Sequence, residues 1–147
     1  MNQRKFDLLR DEVALMDKAA NHLHFSLQRC VAIQGKNNYS PEELERFESL
    51  ASRFARLSDL VIQKMFRLID QLDLENQETV RDRINNAEKK GLIKSSETFV
   101  EIRELRNSIA HEYEEEAMQK VFNTVITYCP DLLDAVKRIQ RYIRRYY

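Results

Sequence analysis

Apolar residues recur along most of this chain at alternating steps of three and four, the spacing of helices that each bury one stripe. Phe6, Leu9, Val13, Met16, Ala20, Leu23, Leu27 and Cys30 mark a first helix from about residue 3 to 34, which Gly35, Asn37 and Asn38 end. Ser40-Pro41-Glu42-Glu43 opens a second, with Ser40 as N-cap, Pro41 in the first turn and Glu43 closing a capping box. Leu44, Phe47, Ala51, Phe54, Val61, Met65, Leu68 and Leu72 carry its stripe to an end near Asp73. Leu50, Leu57, Leu60 and Ile62 widen that stripe, and a face so broad predicts a second packing partner, such as another copy of the chain.

A shorter third helix turns Val80, Ile84 and Ala87 inward and stops at Gly91. Ser95 or Ser96 caps a fourth, whose buried side is Phe99, Ile102, Leu105 and Ile109. The fifth starts in the Glu114-Glu115-Glu116 run, where acids suit a helix N-terminus, and continues to Ile143; Pro130 should kink or split it. The expected fold is all-α: an up-and-down bundle of four to five helices, one domain over residues 1–147, with no internal repeat or linker.

Composition agrees with long amphipathic helices, since 147 residues include two glycines, two prolines and 33% charged side chains. No apolar run reaches the roughly 18 residues of a membrane span, and no secretory leader precedes the first helix, so the expected location is cytoplasmic. Cys30 and Cys129 fall on apolar stripes and read as buried small hydrophobes. Formal net charge is zero, so any nucleic-acid binding must come from a local basic patch. The C-terminal run from Lys137 offers one, with Arg138, Arg141, Arg144 and Arg145 among interleaved tyrosines that would stack on bases; the alternative is cations suiting a helix C-terminus.

The segment richest in candidate chemistry is Arg106-Asn107-Ser108-Ile109-Ala110-His111-Glu112-Tyr113, an R-x4-H-x-Y string. Imidazole and guanidinium together suit phosphodiester cleavage by the 2′-hydroxyl of RNA, one moving protons and the other holding the phosphate, with no metal required. Nor does the sequence offer a metal set: His22 and His24, two apart on a helix, point roughly 200° from each other. Residues 106 and 111 are five apart, roughly 140° round a straight helix, whereas Asn107 and His111 share a face. Either the helix ends near Ala110, or two chains bring their strings together about a two-fold axis. A purely structural reading pairs Arg106 with Glu101 or Glu104 and leaves His111 capping the helix.

Residues 101–113, with the turn Asn86-Ala87-Glu88-Lys89-Lys90-Gly91-Leu92-Ile93 before them, resemble the signature of the HEPN superfamily, most closely the HepT-like toxins paired with a minimal nucleotidyltransferase (MNT) antitoxin. The resemblance implies a dimerising bundle with endoribonuclease activity that needs no metal or cofactor. Arg106 and His111 would be the catalytic pair and Asn107 their support. It further implies silencing of the toxin by AMP transfer to Tyr113 from the partner, in the manner of a type VII-like toxin–antitoxin pair. The alternative within the same resemblance is a non-catalytic substrate-binding subunit of a nucleotidyltransferase.

Overall fold

Local signals set the helix ends. In the computed structural model, which describes residues 3–111 and 114–147, α1 runs Gln3–Val31 and Gly35 follows it at φ +88°. The capping box forms as the sequence predicts: the Ser40 hydroxyl accepts from the Glu43 N–H and the Glu43 carboxylate accepts from the Ser40 N–H. The second helix is continuous but not uniform. It comprises α2 (Pro41–Asp59), a π-helical stretch over Leu60–Met65 in which the Phe66 N–H reaches Val61, and α3 (Phe66–Leu72). A π-turn admits an extra residue and rotates the helix beyond it, and such turns are frequent at functional sites.

α4 (Val80–Lys89) ends in a Schellman turn, with Leu92 N–H bonded to Ala87 O at 2.9 Å and Gly91 N–H to Glu88 O at 3.0 Å. Gly91 sits at φ +78°, where a side chain is strained. The turn drives Leu92 and Ile93 into the core, and the Glu88 carboxylate accepts from the Ser96 N–H at the start of α5 (Ser96–His111). Ser95 is the capping hydroxyl, accepting from Thr98 N–H at 3.3 Å.

α6 (Glu115–Tyr142) carries Pro130 through without being split, and a short 3-10 turn, Ile143–Tyr146, succeeds it. The helix is not split at Pro130, which lies on its exposed side. Among the described residues there is no strand, and the five helices that result, counting α2 to α3 as one, form an all-α bundle.

The buried side chains make one cluster drawn from every helix, including Leu9, Met16 and Leu23 of α1, Phe47 and Phe54 of α2, Ile102 of α5 and Val125 and Leu132 of α6. Leu50, Leu57 and Ile62 belong to it as well, and Leu60 is half-buried. This corrects the expectation drawn from the wide apolar face: α1, α5 and α6 cover it within the chain, so it does not require a second copy. Large exposed apolar side chains occur instead on α1, at Leu8, Leu15 and Phe25. Both cysteines are buried and free, and burial pushes the Cys30 thiol up to about 11 and Cys129 to about 12.

Candidate functional site

α5 lies antiparallel to the continuous α2–α3 helix, since Asp59 meets Arg106 while Phe66 meets Phe99, with ring centroids 6.0 Å apart. Its buried stripe is Phe99, Ile102 and Leu105, which leaves Arg106 at the edge of the packed face and Asn107 and His111 exposed. The Arg106 guanidinium grips Asp59 with both arms, Nε to Oδ1 and Nη2 to Oδ2, each at 3.0 Å. This hydrogen-bonded carboxylate holds the arginine above its ordinary value. The structure therefore replaces Glu101 and Glu104 as expected partners of Arg106. Glu101 instead accepts a hydrogen bond from the Tyr128 hydroxyl of α6.

Asp59 and Arg106 stand in an open groove of about 530 Å³ between α2, α5 and the start of α6. Small side chains make it: Ala55 and Ala51 lie one and two turns before Asp59 on the same row, with Ile109 and Met118 opposite. Its polar wall is Glu48, Arg56, Asp59 and Arg106. Asp59 was not among the residues that spacing singled out. The signal that would have found it is the Ala51-Ala55-Asp59 row, where an acid continues a line of small residues on an otherwise apolar helix.

α5 remains helical to His111, so Arg106 and His111 stay roughly 140° apart and are not brought together within one chain. Of the two geometries expected for the string, the helix end near Ala110 therefore does not unite them. Asn107 and His111 do share the exposed stripe. Tyr113 lies outside the described residues.

In the C-terminal basic run, Arg138 is committed internally, with Nε donating to Asp134 at 2.8 Å and Nη1 to the Gly91 carbonyl at 3.2 Å. Arg145 stacks over Tyr142, 3.6 Å from its centroid. Tyr142 and Tyr146 both donate to Asp73, and burial and that carboxylate raise both phenols. Those two rings are therefore fixed to the bundle rather than free to stack on bases. Arg141 and Arg144 are exposed.

The chain matches the family model described as nucleotidyltransferase substrate binding protein like over residues 14–141, and it belongs to that family. The matched span contains the whole Arg106–Tyr113 string, the groove and the turn at Gly91. No curated protein matches the chain. Among the described residues no helix is long and apolar enough to cross a membrane, and no group of three His, Cys, Asp or Glu side chains is placed to hold a metal.

Proposed function

We propose that this chain is the helical partner of a nucleotidyltransferase and, when unmodified, a metal-independent endoribonuclease of the HepT-like toxin kind. The observation that carries the reading is the placement of the string: His111 is exposed in the last turn of α5, with Asn107 on its stripe and Arg106 on the wall of the adjoining groove. Because Arg106 and His111 point apart on one helix, the working site needs a second chain, whose arginine fork meets this histidine about a two-fold axis. His111 takes the proton from a 2′-hydroxyl, the 2′-oxygen attacks the adjacent phosphorus, and the bond to the 5′-oxygen breaks as that oxygen takes a proton from water. The products are a 2′,3′-cyclic phosphate and a 5′-hydroxyl. Arg106 exchanges Asp59 for the phosphate and stabilises its added charge, and Asn107 supports it by hydrogen bonding. Transfer of AMP from ATP to Tyr113, two residues after His111 in the chain, releases pyrophosphate and adds negative charge and bulk that repel RNA.

A specific observation favours a second reading, a non-catalytic substrate-binding subunit. The fork of Arg106 is already filled by Asp59, and the family's own description names substrate binding. RNA cleavage in EDTA by the purified chain decides between them, with Tyr113 shown unmodified by mass and His111→Ala checked for its helical fold. Cleavage that disappears in the variant is the expected result. Absence of cleavage from both proteins gives the binding-subunit reading, and equal cleavage by both removes His111 from the chemistry.

A further inference from the structure

Asp59, Gln63 and Arg67 succeed one another at four-residue steps through the π-turn, and the first two face different neighbours. Asp59 takes Arg106 of α5. Gln63 takes Arg83 of α4, its Oε1 accepting from Nη1 at 2.8 Å. Gln77, in the loop before α4, accepts from Arg83 Nε at 2.8 Å and donates to the Arg67 carbonyl at 2.9 Å. Arg83 is thus clamped on two sides, and both clamps are neutral amides. Glutamine orients a guanidinium as glutamate would, yet leaves its charge uncancelled.

Arg67 and Arg103 add their charges to this place, and after burial they are the groups that hold Arg83 below its ordinary value. No carboxylate of the described residues lies within ion-pair distance of Arg67, Arg83 or Arg103. The acid that acts on Arg83 is Asp70, which is occupied by Lys90 at 2.7 Å and Asn86 at 3.2 Å. In a chain whose charges sum to zero, three helices contribute three arginines here that form no ion pair among the described residues, Asp70 acting on Arg83 only from beyond ion-pair distance. Like charges repel, so this arrangement is suited to an external anion.

Position gives the ligand. Arg103 lies on the same exposed stripe of α5 as Asn107, and roughly 12 Å along the axis from His111. We propose that Arg67, Arg83 and Arg103 form a phosphate-binding subsite that holds the backbone of single-stranded RNA as it runs along α5 toward Asn107 and His111. The subsite rests on the reading that RNA is the ligand, and does not need that RNA to be cut. Exposed Arg67 and Arg103 meet successive phosphates as mobile forks, and clamped Arg83 supplies a fixed one.

The test is a polarisation titration of a labelled single-stranded RNA against the full chain carrying His111→Ala, in EDTA and over a range of salt. Arg67→Gln with Arg103→Gln should weaken binding about tenfold at low salt and flatten the slope of log K against log salt by about 1.4, about 0.7 for each lost phosphate contact. Arg67→Lys with Arg103→Lys should keep the slope, and Lys18→Gln with Lys120→Gln, exposed lysines elsewhere on the bundle, should leave affinity nearly unchanged. Binding whose slope is unaltered by the arginine pair, or falls equally with the lysine pair, overturns the subsite and leaves RNA as the ligand. No binding by any form removes RNA altogether. Binding through these arginines with no cleavage by the unmutated chain sustains the subsite and ends the nuclease reading.

Discussion

Two ion pairs that flank α5, one in the segment leading into it and one near its last turn, differ in character. Before its first turn, Lys90 bridges Asp70 at 2.7 Å and Asp73 at 3.1 Å, with Lys90 10% and Asp70 2% exposed. Near its last turn, Arg106 holds Asp59 with good bidentate geometry, but the two are 31% and 47% exposed. The first set is dense: Asn86 also donates to Asp70, and Tyr142 and Tyr146 to Asp73, so α3, α4 and the C-terminal turn are tied in one polar network. The second is a single contact at the edge of an open groove. A buried pair that loses one member strands a charge, whereas a half-exposed pair is replaceable by water or by a ligand phosphate. The turn that leads into α5 is therefore the anchored end, tied on to the helix by the Ser96 N–H bond to Glu88, and the last turn is the free end, at which Arg106 can change partners.

Breaking the anchored end should have the largest effect. Lys90→Met leaves Asp70 buried without its cation, and we expect a loss of about 3–5 kcal/mol of stability. Denaturant unfolding measures it; a loss below about 1 kcal/mol would mean that Asn86 alone satisfies Asp70.

Acid should loosen the same end more gently. Burial alone would raise Asp73, but the Tyr142 and Tyr146 hydroxyls and Lys90 outweigh it and hold the carboxyl below its ordinary 3.8. The unfolded chain then binds the proton first, so stability from Asp73 is complete above about that value and is lost as pH falls through the lower folded one. For Lys90 burial opposes the charge, yet its two carboxylates prevail and raise it above 10.5, so its contribution is complete below that pH and fades as pH rises through the folded value. Thermal melting against pH should therefore show a plateau with an acid limb, shallower in Asp73→Asn. An unchanged limb would assign acid unfolding to other carboxylates.

How much of this contrast was legible in the sequence depends on how local each signal is. The Ser40–Glu43 capping box and the Gly91 turn rest on a handful of neighbouring residues, and both form as their residues predict. Leu74 ends α3 at φ 60° with no glycine to announce it, because the Schellman bond from Glu75 N–H to Asp70 O is enough to hold a strained residue there. Periodicity showed that the face around Leu50 and Leu57 is apolar, but not that α1, α5 and α6 cover it. The candidate string was visible as a string. Its partner Asp59, and the gathering of Arg67, Arg83 and Arg103, were not, since each depends on which helices meet and on how far the π-turn rotates α3 relative to α2.

The smallest stability effect sharpens the contrast most. Asp59→Asn removes one charge from a half-exposed pair, and we expect a change of no more than about 1 kcal/mol in denaturant unfolding. The amide still offers Arg106 one acceptor, so the guanidinium keeps its place but is held less strongly against a competing phosphate. If the free end is a place of partner exchange, the variant should bind single-stranded RNA several-fold more tightly than the parent chain while melting at nearly the same temperature. A large loss of stability instead, comparable to that of Lys90→Met, would make the Arg106–Asp59 pair a second anchor, and Arg106 would then be a structural residue rather than a ligand-binding one.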